Sequence, residues 1–109
     1  MRKSKSKNGA VYEQHVANKM RLHGFLFVQQ CGKSGDYGAD IIARTFFMSK
    51  IVVQCKKYSG KVGVKAVQEV IAARQYYRAS RAAVATNSTF TKNAVELAKA
   101  CGVELWERY

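Results

Sequence analysis

The chain has 109 residues, 48% of them apolar, which is one domain's worth with enough apolar surface for a modest core and too much for a disordered chain. Its 19 Lys+Arg against 7 Asp+Glu leave a formal charge of +12, an excess that favours polyanions, nucleic acid first. A membrane is not expected as a partner: no apolar run approaches the ~20 residues of a bilayer span, and no segment joins a strongly apolar face to a lysine-rich one.

The opening MRKSKSKNG is basic with no apolar stretch behind it, so it is not a secretory signal, and a cytoplasmic location is expected. Residues 1–8 read as a basic flexible tail and 9–109 as one domain. Tyr12, Val16, Ala17 and Met20 fall at helical spacing and Gly24 follows as a stop, which predicts a helix over 9–23. FLFVQQC (25–31) reads as a strand, GKSGDYG (32–38) as a glycine-rich loop and ADIIARTFF (39–47) as a second strand. MSK (48–50) is short enough for a hairpin turn into IVVQCKKY (51–58). After the loop SGKVG (59–63), residues 64–78 read as a helix with Val67, Val70, Ile71 and Tyr77 on one stripe. Arg74 interrupts that stripe and is expected to extend to solvent. RAAVAT (81–86) is a strand, and Thr91 caps a helix that buries Ala94, Leu97, Ala98 and Cys101 and stops at Gly102. VELW (103–106) is a last edge strand. The order αβββαβαβ predicts an α/β fold whose mixed central sheet is flanked by helices: antiparallel early, parallel late.

Cys31, Cys55 and Cys101 are an odd number with no C-x-x-C spacing, so reduced thiols are expected, with Cys55 and Cys101 on core faces. IVVQCKKY carries the sharper signal. Its first half is a buried strand, and then an amide and an ammonium follow where apolar residues should continue. Residues two apart share a strand face, so Gln54 and Lys56 project together, roughly 6–7 Å apart. With the turn near residues 48–49, Asp40 lies opposite or just beyond residue 57, close to Lys56 and diagonal to Gln54. A carboxylate, an amide oxygen and an ammonium thus converge at one end of a hairpin. Mg²⁺ suits hard oxygen donors such as Asp40, Gln54 and the Cys55 carbonyl, and Mn²⁺ can substitute. Lys56 cannot ligate while protonated, but it can hold a water and stabilise charge on phosphorus. Phosphodiester hydrolysis at a basic surface is the reaction this set predicts.

GDYGAD (35–40) followed by VVQCKKY (52–58) resembles the Mrr-like restriction endonuclease branch of the PD-(D/E)xK nuclease superfamily. The resemblance continues through AVYEQHVANKM (10–20), VGVKAVQEVIAA (62–73) and TNSTFTKNAVELA (86–98), in the family's order. It implies a restriction-endonuclease-like αβββαβ core and a Mg²⁺-dependent DNA endonuclease. It makes Asp40 the principal metal ligand and Lys56 the catalytic lysine, with Gln54 where most of the superfamily has an acid. Glu13 matches a first-helix glutamate that reaches the same site to bind metal or orient water, and Asp36 a less constant acidic position. A neutral Gln54 implies weaker metal binding with stronger polarisation of what is bound.

Blander readings stand beside these. Asp40 can cap a turn, Lys56 can blunt a strand edge, and Glu13 can be a solvated helix residue. His15 and His23 read as surface or helix-end residues, and Gln68 as a side chain that leans over the site from the second helix. Lys33, Lys57, Lys61 and Lys65 are candidate DNA contacts, with the tail from Arg2 to Lys7. Cutting both strands of a duplex calls for two sites, hence a homodimer; the short chain leaves sequence choice to DNA shape or a separate specificity partner. A Holliday-junction-resolving nuclease is the alternative within the enzyme class, and a non-catalytic DNA-binding protein on the same fold is the alternative outside it.

Overall fold

The computed structural model describes residues 7–31 and 37–109; the candidates Lys33 and Asp36 and the tail residues Arg2 to Ser6 lie outside them. Five strands form one sheet in the order β1 (Leu26–Gln30), β2 (Ile41–Arg44), β3 (Lys50–Lys56), β4 (Arg81–Thr86), β5 (Glu104–Trp106). The first three are antiparallel neighbours, and β3, β4 and β5 run parallel, as short loops early and helical crossovers late require. Helix α1 (Lys7–Leu22) covers one face, and α2 (Val64–Tyr77) with α3 (Lys92–Cys101) covers the other. This is the restriction-endonuclease-like architecture. No helix among the described residues is long and apolar enough to cross a membrane.

Strand alternation divides the core in two. Ile41, Ala43, Ile51, Val53, Ala83 and Ala85 pack under α1 with Val16, Ala17 and Met20. Val52, Ala82 and Val84 face α2 and α3 on the other side. Each fully buried valine or isoleucine is worth about 1.5–3 kcal/mol of transfer free energy. Thr91 accepts the Ala94 amide at 3.1 Å and so caps α3, and Gly102 closes that helix at φ 66°.

Four expectations change in detail. The second strand ends at Arg44, because residues 45–49 turn back through the Thr45 amide to Ser49 carbonyl bond and leave Phe46 and Phe47 exposed. Register follows: Ile41 faces Val53, so Asp40 lies beside residues 53–55, three positions short of the expected residue 57. Arg74 does not run to solvent. Its guanidinium donates to the Cys101 and Gly102 carbonyls at 2.9 and 3.2 Å, where the last turn of α3 leaves acceptors without helical donors. None of the three cysteines is in a disulfide, as expected, but all three are half-buried, with Cys55 packed on the α1 side.

Candidate active site

At the end of the sheet where β3 finishes, β2 has only begun. The Asp40 amide donates to the Val53 carbonyl at 2.8 Å, and its Oδ2 accepts the Cys55 amide at 2.8 Å. The carboxylate therefore occupies the place that the next residue of a longer β2 would take, at the edge of the peptide joining Gln54 to Cys55. Within a strand, a residue's amide and carbonyl point to the same neighbour. The Cys55 carbonyl accordingly turns to the side where Asp40 sits.

Gln54 and Lys56 alternate with Cys55 and share the face covered by α2. Gln54 is buried, with 7% of its surface exposed, and so needs a partner. It finds Glu69 on α2: the Gln54 Nε2 donates to Glu69 Oε1 at 2.9 Å. A carboxylate only accepts, so this bond fixes the amide's orientation and leaves its oxygen facing away from Glu69. Lys56 Nζ lies 3.5 Å from the same Oε1. The pair is partly exposed, so it is worth less than about 1 kcal/mol and exchanges partners readily.

The loop before Asp40 is held against the same helix. Gly38 has φ +83° and its backbone is so close to Glu69 that a Cβ would fall 2.3 Å from the Glu69 carbonyl oxygen. Tyr37 stacks on Tyr76 further along α2, with ring centroids 3.9 Å apart. Between them lies a cavity of about 320 Å³ lined by Tyr37, Gly38, Glu69, Ala72 and Tyr76. Beyond β3, Asn87 holds the backbone of Tyr58 from both sides, accepting its amide at 2.8 Å and donating to its carbonyl at 2.9 Å. The strand segment that carries Lys56 is thereby fixed at both ends.

Glu13 approaches from α1. It is 6% exposed and accepts Gln30 Nε2 at 3.3 Å; Gln30 pairs with Ile41, and the next residue, Cys31, donates its amide to the Asp40 carbonyl at 2.8 Å. Glu13 thus reaches the Asp40 end of the sheet, on the face opposite α2. Tyr12, one residue before it, is buried in that face, and burial beside Cys55 pushes its phenol well above the ordinary range.

The remaining candidates divide. Gln68 is turned to solvent, so it does not lean over the site; its neighbour Glu69 does, and it is the residue the sequence pattern missed. Lys57, Lys61 and Lys65 are exposed on the segment that follows β3 and opens α2. His15 and His23 contact Tyr109, His15 through the carbonyl at 3.1 Å and His23 through the hydroxyl at 3.0 Å. No group of three His, Cys, Asp or Glu occurs among the described residues. A divalent ion here would draw on the Asp40 carboxylate with amide and peptide oxygens. That hard-oxygen set fits Mg²⁺ or Mn²⁺, which retain several waters, and is too oxygen-rich for zinc.

The family model for the Mrr catalytic domain, described as a restriction endonuclease, matches residues 5–109. The chain belongs to this family. An uncharacterised mitochondrial protein of Schizosaccharomyces pombe is 31% identical to this Mrr-like chain over 68 residues, 57% of the chain and 27% of that protein. The apo structure of EndoMS matches with a TM-score of 0.69 at 15% identity, over 96% of this chain and 48% of that one. A repair endonuclease from Pyrococcus abyssi matches at 0.62 and 16% identity, over 98% of this chain and 48% of that one. EndoMS is also seen in complex with double-stranded DNA. At these identities the structural likeness carries the fold alone. The Mrr-like chain spans about a quarter of the curated relative and about half of these solved chains.

Proposed function

We propose that this Mrr-like chain is a divalent-metal-dependent DNA endonuclease that hydrolyses phosphodiester bonds at the Asp40 end of β3. The observation that carries this reading is the bond from the Cys55 amide to Asp40 Oδ2 at 2.8 Å, which sets a carboxylate at the strand edge beside the peptide that joins Gln54 to Cys55. Asp40, the Gln54 amide oxygen and the Cys55 carbonyl would hold Mg²⁺, or Mn²⁺ in its place. When bound, such an ion lowers the pKa of a water and polarises a phosphate oxygen.

The chain's own groups do the rest. Lys56 donates from its ammonium to the attacking water or to the phosphate oxygen on which charge grows. Asp40 orients the strand edge, and its link to the Cys55 amide keeps it from swinging away as substrate enters. Glu13 holds Gln30 beside the first residue of β2 and offers a carboxylate to order water on the α1 side. Lys57, Lys61 and Lys65 line the approach and pair with backbone phosphates, as the charge of +12 favours. Family membership supports nuclease chemistry, and EndoMS meets duplex DNA on the same fold. A homodimer would present two such sites to the two strands of a duplex.

Incubating supercoiled plasmid with the chain and Mg²⁺ tests the proposal. Nicking is expected, falling roughly 10²–10³-fold in Lys56→Ala and to background in Asp40→Ala, with DNA retention unchanged. Tight binding with no nicking under either Mg²⁺ or Mn²⁺ would make this a non-catalytic DNA-binding protein. Four-way junctions run beside linear and methylated duplexes distinguish junction resolution from restriction.

A further inference from the structure

Gln54 leaves this centre short of charge. A strand position suited to an anionic ligand holds a neutral amide, so on the α2 side of the strand, away from Glu13, Asp40 would face a doubly charged ion with Lys56 adding a positive charge beside it. We propose that Glu69 supplies the missing anion, so that the ion is held between Asp40 on the strand edge and Glu69 on α2. This rests on the reading of the Asp40 end of β3 as a divalent-metal centre.

Three observations carry it. Glu69 is already in contact with both polar residues of β3, at 2.9 Å from Gln54 Nε2 and 3.5 Å from Lys56 Nζ. Both contacts fall on Oε1, and Oε2 makes no hydrogen bond or ion pair among the described residues. The backbone of Gly38 abuts the Glu69 carbonyl at a spacing no side chain tolerates, and Gly38 is two residues, at most ~7 Å of chain, from Asp40. The turn of α2 that carries Glu69 is therefore pinned to the segment that carries Asp40.

The electrostatics agree. Two carboxylates and one ammonium leave a net negative charge in a half-buried pocket, where attraction for a cation exceeds its value in water. Glu69 also presents Gln54 with its oxygen turned outward, so one side chain contributes charge and sets the orientation of a second donor. The weaker metal binding that a glutamine at position 54 implies is offset from the helix.

Mn²⁺ titrated by calorimetry into the full chain without DNA reads the proposal directly. Glu69→Gln keeps an oxygen that accepts from Gln54 and Lys56, so it removes charge and little else; it should weaken Mn²⁺ binding about tenfold or more. Adding Gln54→Glu to that variant returns a carboxylate from the strand and should restore affinity to within about threefold of the parent. Wild-type affinity in Glu69→Gln, or a double variant as weak as the single, overturns the proposal. Asp40→Asn separates the two levels. If it abolishes binding while Glu69→Gln does nothing, only the assignment of Glu69 fails. If Asp40→Asn binds Mn²⁺ as the parent does, the metal centre itself is elsewhere and both readings fall.

Discussion

Asp40 works as a carboxylate in the position of a strand residue. Because β2 has not yet begun to pair there, the Cys55 amide needs an acceptor, and Oδ2 provides it. Elsewhere in the sheet a carboxylate serves the fold alone. Arg81 binds Glu104 through two bonds of 2.7 and 2.8 Å, joining β4 to β5. The guanidinium holds the Glu104 carboxyl below the usual carboxylate range, with Trp106 assisting. A carboxyl depressed on folding stabilises the fold above its unfolded pKa, and the contribution is lost as pH falls through the folded value. Glu104→Gln is therefore expected to cost about 0.5–1 kcal/mol at neutral pH, the discount reflecting partial exposure. The gap between the two proteins should close in acid, as urea melts across pH would read; a gap that stays constant would contradict it. At this scale the shared face of Gln54 and Lys56 was legible in the sequence because a strand's period of two is rigid, whereas Asp40 was placed three positions too far along β3. Glu69 was not legible. The apolar stripe of α2 includes Ala66 and Ala73, small residues that carry little pattern signal but allow the helix to close on the sheet. They rotate the inward face by about one position, from Gln68 to Glu69, an offset of ~100° that periodicity alone does not resolve.

At the level of elements, the site is a junction of β2, β3 and α2, and a glycine sets its clearance. Gly38 combines φ +83° with backbone contact to Glu69, so an alanine there meets both a conformational cost and a collision with a carbonyl that cannot rotate aside. Gly38→Ala is expected to lose roughly 1–3 kcal/mol of stability and to lower plasmid nicking by displacing Asp40 from Glu69. A variant with parental melting temperature and activity would show that the close approach is dispensable. Helix and strand order was readable from caps, glycine stops and alternation. Strand ends were less so: ARTFF continues an apolar run past Arg44, yet Phe46 and Phe47 sit in an exposed turn. Pattern counts apolar residues and does not see that, among the described residues, no element covers that end of the hairpin. Likewise β1 carries a register break between Leu26 and Gln29, with Phe27 at φ 52°, where FLFVQQC reads as an uninterrupted strand.

Over the whole molecule, the net charge of +12 favours a polyanion. If Lys57, Lys61 and Lys65 meet phosphates, neutralising all three should reduce the slope of log affinity against log salt by roughly 2–3 on duplex DNA. An unchanged slope would move the DNA to another face. The fold supplies the frame for this: an antiparallel hairpin delivers Asp40 and the Gln54–Lys56 strand to one end, and the crossover through α2 returns Glu69 over them. Charge and composition made a polyanion the expected partner from the sequence, whereas the proposed convergence of strand and helix on one ion depends on distances that only the assembled fold provides. Anomalous diffraction from crystals soaked in Mn²⁺ addresses that convergence most directly. A peak roughly 2.0–2.2 Å from an Asp40 carboxylate oxygen, with the Cys55 carbonyl and Glu69 in its shell, is the expected result. A fully occupied Mn²⁺ peak at some other place in the molecule, with nothing beside Asp40, would contradict the account.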